Sequence, residues 1–126
     1  MKRKIDKILS SKQVRMGPNT IAQPLPIPGV NQVDPFLLIH HAGPKTYTPG
    51  EEALRVDAHP HRGFDQVTFV FDGEVMHRDS LGNESVVGPG GVQWIRAGKG
   101  IVHSEQSAPG FTRSGGNFEL IQLWIN

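Results

Sequence analysis

The segment Asp57-Ala-His-Pro-His-Arg-Gly-Phe-Asp65 carries two histidines, His59 and His61, that are separated by one residue. Side chains two residues apart on a β-strand point to the same face of the strand. If this segment is extended, both imidazoles are directed at one point and can bind the same metal ion. Many His-x-His pairs merely lie on a protein surface, so this pair alone indicates a metal site only weakly.

A second pair with the same spacing, His103 and Glu105, lies in the segment Gly100-Ile-Val-His-Ser-Glu105. If the strands that carry the two pairs face each other, three imidazoles and one carboxylate converge. Three nitrogen ligands and one oxygen ligand suit iron, manganese, nickel, copper or zinc. The alternative is that these are four unrelated polar residues near turns. The repeated spacing favours the metal site.

The composition limits the classes of protein that need to be considered. The chain has 126 residues, which predicts one domain, and its net charge of +1 indicates no strongly charged partner. It contains no cysteine. Disulfides and thiolate metal sites are therefore excluded, and any metal must be bound by histidines and carboxylates.

The sequence contains no apolar run near the ~18 residues of a membrane helix, and no apolar signal core follows its basic N-terminus. We therefore expect no membrane association and a cytoplasmic location. Four basic residues, Lys2, Arg3, Lys4 and Lys7, could contact nucleic acid. Such a cluster is more typical of a solvated edge, so direct nucleic-acid binding is not expected.

Short apolar segments recur along the chain, and turn signals rich in glycine and proline separate them. Apolar residues alternate through Val67, Phe69 and Phe71, and Asp72-Gly73 is a favoured hairpin turn. No segment keeps a helical period over three turns, and the segment 108–116 is expected to be a polar loop. This pattern predicts an all-β sandwich or barrel, in which neighbouring strands direct side chains to one interior point.

Other residues are candidates for a pocket around the metal. An apolar wall could be formed by Phe64, Phe69, Met76 and Trp94, although core packing explains each of them equally well. If the strand of Val67 extends back without a break, Asp65 shares a face with His61 and His59. Asp65 and Gln122 could then orient the ligand imidazoles. Glu105 is the candidate general base, whereas His77 is expected to form a hydrogen bond within its hairpin, next to Arg78 and Asp79.

Several motifs in this order resemble the N-terminal domain of the pirin family, which belongs to the cupin superfamily of small β-barrels. They include His59-Pro-His-Arg-Gly-Phe64, His77-Arg-Asp-Ser-Leu-Gly-Asn83, Ala97-Gly-Lys-Gly-Ile-Val-His-Ser-Glu105 and Gln122-Leu-Trp-Ile-Asn126. The resemblance covers about residues 34–126. It implies a single cupin-type double-stranded β-helix, or jelly roll, with residues 34–126 as barrel core and residues 1–33 as N-terminal strands and extended segment.

The resemblance also implies a function. Pirins bind one metal, commonly iron, through positions that match His59, His61, His103 and Glu105 here. The expected cofactor is one divalent transition metal, Fe(II) first, with nickel, copper, manganese or zinc as alternatives. Several members resemble quercetin 2,3-dioxygenases, which implies a flavonol substrate. Others are described as metal-dependent co-regulators or partners of metabolic enzymes, so a redox-responsive module that binds a protein partner remains the alternative.

The sequence departs from the pirin pattern in two ways. Asp65 stands where pirins have a glutamate. Pirins also have two cupin domains that pack together, whereas this sequence stops near the expected start of the second. The strand 118–125 is apolar on both faces, so outward Ile121, Leu123 and Ile125 need to be covered. We expect a homodimer to cover them, and the alternative is a monomer whose N-terminal strands do so.

Overall fold

The computed structural model of the protein describes residues 4–126, so Lys2 and Arg3 of the N-terminal basic cluster lie outside the described residues. Within this range, ten strands and one short helix follow one another along the chain. They are β1 (Lys12–Met16), β2 (Asn19–Leu25), β3 (Phe36–Tyr47), β4 (Arg55–His61), β5 (Asp65–Asp72), β6 (Val75–Asp79), β7 (Glu84–Val87), β8 (Val92–Arg96), β9 (Ile101–Ser107), α1 (Pro109–Ser114) and β10 (Gly116–Ile125).

The strands form two antiparallel sheets. The larger sheet has the order β1-β2-β3-β10-β5-β8, and the smaller has the order β4-β9-β6-β7. Side chains of β5 and β10 reach across to β9, where they form hydrogen bonds in the interior between the two sheets. This arrangement confirms the prediction of an all-β jelly roll.

The turn at Asp72-Gly73 joins strands of different sheets, because β6 pairs with β7 and β9 and not with β5. The predicted hairpin between β5 and β6 was therefore wrong. Gly73 has φ +82°, and a Cβ atom at this position would overlap the ring of Phe118. Glycine is required because it alone adopts positive φ readily and leaves room for that ring.

The apolar core lies at one end of the space between the sheets. Its buried members are Ile21, Ala42, Tyr47, Ala53, Leu54, Val70, Val75, Phe111, Phe118 and Leu120. Phe118 is almost completely buried and packs edge-on against Tyr47, with ring centroids 6.2 Å apart. A smaller cluster contains Ile95, Ala97 and Ile101. The remaining interior is polar, with buried glutamine, threonine, histidine and glutamate side chains from both sheets.

The segment 108–116 differs from its prediction as a polar loop because it contains α1. Proline occupies the start of this helix, where its missing N–H is not needed. Phe111 is buried in the core and anchors the single turn, and Gly115 ends it at φ +66°. Within residues 4–126, no helix is long and apolar enough to cross a membrane.

Candidate metal centre

Three histidines of the smaller sheet meet on its inner face. His59 and His61 are two residues apart on β4, and His59 lies directly opposite His103 of β9. One nitrogen from each ring lies within 4.8 Å of the other two. The Nε2 atoms of His59 and His61 are 3.0 Å apart. The structure thus brings the three predicted imidazoles together.

The chemistry of this cluster fits a metal ion. His103 is almost completely buried, and its Nε2 atom has no hydrogen-bond partner among the described residues. A buried polar atom without a partner costs about 1–3 kcal/mol, so such atoms are rare unless they bind a ligand. His59 donates its Nδ1 hydrogen to the carbonyl oxygen of Asp57 at 2.8 Å. That tautomer leaves the lone pair of His59 Nε2 free for a metal.

The environment favours neutral imidazoles at His61 and His103. Burial is the main cause, and together with the neighbouring His59, His61 and His77 it lowers the pKa of His103 to about 3. Burial also lowers the pKa of His61, with His59 adding to the effect. A cationic ring in this position would lose more hydration than the nearby carboxylate of Asp79 compensates. His61 and His103 therefore present deprotonated nitrogen atoms near neutral pH, which is the form that binds metals.

Glu105 lies in the same interior but outside the group of three histidines. Its Oε1 accepts a hydrogen bond from Gln66 Nε2 at 2.9 Å, and its Oε2 accepts one from Gln122 Nε2 at 3.0 Å. Burial raises the pKa of Glu105, although both amide hydrogen bonds oppose this. Each carboxylate oxygen keeps a second lone pair. Glu105 therefore remains a proposed fourth ligand. It lies on β9 with His103, and two amides of the opposite sheet hold its carboxylate in place.

Gln66 was not predicted as a site residue, because the predicted facing of this segment applied only if the strand of Val67 extended back to His59 without a break. The chain instead bends at Gly63, which has φ +83°, and β4 and β5 belong to different sheets. The alternation of side chains is reset at this bend. Gln66 is consequently buried and points inward, whereas Asp65 lies on the outer face. A polar residue at the start of an apolar strand was the signal that could have identified it.

Four of the proposed pocket residues lie away from the cluster. Trp94 is 64% exposed, and its indole N–H donates to Asp65 Oδ2 at 2.8 Å, so Asp65 does not orient an imidazole. Phe69 is 37% exposed on the same outer face. Met76 is buried, but it alternates with inward Val75 on β6 and therefore faces away from the histidines. The pocket roles predicted for these four residues were wrong.

Phe64 does lie beside the cluster, as the sequence suggested. Its ring stacks on Trp124 with centroids 4.5 Å apart, and both rings contact His61 at about 5 Å. Trp124 was noted on the strand but not as a pocket residue. The two rings form an aromatic wall next to the nitrogen atoms. A cleft of about 420 Å³ also adjoins His61, and Pro60 and Ile101 contribute to its lining.

His77 forms the expected hydrogen bond with Asp79, between Nε2 and Oδ2 at 3.1 Å. Burial of Asp79 acts to raise its pKa. Hydrogen bonds from Asn83, His77 and the N–H of Leu81 outweigh that effect, so the pKa lies well below its usual range. His77 also lies 3.4 Å from His103, between their Nδ1 atoms. The pair of His77 and Asp79 therefore contacts the cluster through the Nδ1 atom of His103.

Comparisons with known proteins identify the family of this chain. The family model described as Pirin matches residues 17–125. The sequence is 47% identical over 94 residues to the Pseudomonas aeruginosa protein named "Putative quercetin 2,3-dioxygenase PA2418", a match that covers 75% of this chain and 33% of that protein.

Two solved structures show the same fold. A quercetin 2,3-dioxygenase from Acinetobacter baumannii gives a TM-score of 0.81 with 37% identity over 94% of this chain and 42% of that one. The Escherichia coli pirin YhhW in complex with nickel(II) gives 0.71 with 25% identity, over 91% of this chain and 48% of that one.

The chain spans a third to a half of the length of these relatives. The residues that the family model matches contain every strand from β2 to β10 and all three clustered histidines. The chain therefore belongs to the pirin family.

Proposed function

We propose that this chain is a metal-dependent dioxygenase domain that acts on flavonols such as quercetin. The observation that carries the proposal is the cluster of three histidines, with an unpartnered Nε2 on His103, beside the aromatic wall of Phe64 and Trp124. Relatives that are named as quercetin 2,3-dioxygenases support the substrate class. The cytoplasmic location remains a prediction.

The proposed ligands are His59, His61 and His103, with Glu105 as the fourth. Fe(II) is the proposed metal, and nickel is the next candidate because a similar pirin structure contains it. A bound divalent metal would act as a Lewis acid that makes a flavonol hydroxyl easier to deprotonate.

The protein itself would supply a base and an aromatic surface. Burial raises the pKa of Glu105, which makes its carboxylate a stronger base than an exposed glutamate. Gln66 and Gln122 hold this carboxylate in place through their amide groups. Phe64 and Trp124 provide a flat apolar wall against which an aromatic substrate can stack.

The activity is tested by oxygen uptake. The Fe(II)-loaded protein is expected to consume oxygen when quercetin is added. The variant Glu105→Gln is expected to lower the rate by about 10²–10⁴-fold, because the amide cannot accept the proton. Metal content is measured in parallel, because Glu105 is also a proposed ligand.

The matched control is Glu119→Gln, which changes a carboxylate that pairs with His41 away from the cluster; its rate should not change. Absence of oxygen uptake by folded protein loaded with iron, nickel, copper or manganese would contradict the proposal. It would favour the metal-binding module that recognises a protein partner.

The outer face of the larger sheet favours self-association. Cross-strand register aligns Ile121 with Phe69 and Val92, and aligns Leu123 with Val67 and Trp94. We define the outer face by Phe69, Val92, Trp94, Ile121 and Leu123. The strands β1 and β2 extend the edge of this sheet instead of crossing it. The described N-terminal residues Ile5 and Ile8 are more than 80% exposed, so neither is buried against this face.

We propose that two copies pair through this outer face. Sedimentation at micromolar concentration is expected to give twice the mass of one chain. Phe69→Glu should yield monomers, because it places a charge within the apolar contact. Leu81→Glu is the control, since Leu81 is exposed in a turn outside this face. A monomer mass for the unaltered protein would contradict the dimer.

A further inference from the structure

His103 is connected on its far side to two buried polar side chains of β6. His77 Nδ1 lies 3.4 Å from His103 Nδ1, and His77 Nε2 lies 3.1 Å from Asp79 Oδ2. The strand register places Asp79 directly opposite His103. The side chains of His77 and Asp79 are only 5% and 6% exposed. These contacts form a continuous path from the histidine cluster to a carboxylate.

For two neutral imidazoles with His103 Nε2 on a metal, the order of donors and acceptors along this path has one solution. A neutral imidazole carries one N–H and one lone pair. If His103 uses Nε2 to bind a metal, its proton must be on Nδ1, which then donates to His77 Nδ1. His77 must then carry its own proton on Nε2, from which it donates to Asp79.

The turn after β6 determines which atoms along this path donate hydrogen bonds and which accept them. Asp79 Oδ1 accepts hydrogen bonds from the backbone N–H groups of Leu81 at 2.9 Å and Asn83 at 3.1 Å. The side-chain amide of Asn83 donates to both carboxylate oxygens. Since all these neighbours are donors, Asp79 is held as an acceptor. His77 must therefore donate to Asp79, and the lone pair of His77 Nδ1 is left facing His103.

We propose that His77, anchored by Asp79, is a positioning residue that fixes the tautomer and the ring orientation of His103 for metal binding. The proposal rests on the metal site proposed above and extends it to two residues outside the group of three histidines. Metal-binding histidines commonly donate their second N–H to an oxygen. Mutation of such a partner lowers the metal affinity by about 10–100-fold. His59 donates to the Asp57 carbonyl in this way, whereas His103 faces an imidazole.

Nickel affinity provides the first test, measured by competition of Ni(II) with a chelating dye. His77→Leu removes the acceptor and should weaken nickel binding by about 10–100-fold. His77→Asn places an amide oxygen near the position of His77 Nδ1, so it should restore most of the affinity. His41→Leu is the matched control, because His41 also pairs with a carboxylate but belongs to the other sheet. Its nickel affinity should not change.

The second test reads the tautomers of the metal-free protein by long-range ¹H–¹⁵N NMR. His103 is expected to be protonated at Nδ1 and His77 at Nε2. In Asp79→Asn, the amide oxygen should stay with the N–H groups of Leu81 and Asn83, which turns the amide nitrogen towards His77. This variant should reverse both tautomers and weaken nickel binding. Thermal unfolding of each variant shows that it is folded.

The proposal is overturned if folded His77→Leu binds nickel as tightly as the unaltered protein. It is also overturned if His103 is protonated at Nε2 in the unaltered protein. A failure of the metal site itself would look different, because the unaltered protein would then bind no nickel. The NMR tautomers do not depend on metal, and they would still decide whether His77 and Asp79 orient His103.

Discussion

The variant His61→Ala is expected to fold but to lose stoichiometric metal binding. It removes one of the three nitrogen ligands and leaves two imidazoles and the proposed carboxylate of Glu105, so the affinity for a divalent ion should fall steeply. Its affinity for Fe(II) or Ni(II) should fall by more than the roughly 100-fold that loss of a supporting contact causes. Metal analysis of protein purified without chelators, followed by dye competition, measures the change.

The control for this variant is His41→Ala, which removes a histidine of the larger sheet and should leave the metal content unchanged. If His61→Ala retains one metal per chain, the metal lies elsewhere. That result would also remove the basis for the proposed activity.

The variant Phe118→Ala is expected to lower the free energy of unfolding by about 3–5 kcal/mol. Phe118 is 1% exposed, and its ring packs against Tyr47, Phe111 and the backbone at Gly73. Truncation would leave a cavity in the apolar end of the interior, which the surrounding strands cannot fill. Denaturation with urea, monitored by circular dichroism, gives the change directly.

Phe71→Ala provides the comparison, because Phe71 is the same residue type but is half exposed at the end of β5. This substitution should lower the free energy of unfolding by less than about 1 kcal/mol. Equal costs for the two variants would show that Phe118 is not a central core residue.

The histidine cluster was predictable because its signal is local. Two residues separated by one position share a strand face whatever the rest of the fold does, and His59 with His61 needs no further information. The pairing of β4 with β9 then brings His103 opposite His59. The all-β class was likewise predictable, because turn signals at short intervals leave little room for helices.

The surroundings of the cluster were less predictable because they depend on where strands end and which sheet they join. The bend at Gly63 reversed the expected facing of Asp65 and Phe69, and it brought Gln66 into the interior. No local sequence pattern indicates that β4 and β5 belong to different sheets. The same limitation applies to Glu105, whose partners Gln66 and Gln122 come from strands remote in sequence.

The two sheets contribute different parts of the site. All three clustered histidines belong to the smaller sheet, whereas both amides that hold Glu105 belong to the larger one. Glu105 itself lies on β9 with His103, so a small change in the spacing between the sheets would shift the two amides and reorient its carboxylate without altering the imidazoles. Core residues at the apolar end set that spacing. We therefore expect substitutions in this hydrophobic packing, far from the proposed metal ligands, to change the chemistry of a site whose histidines are unaltered.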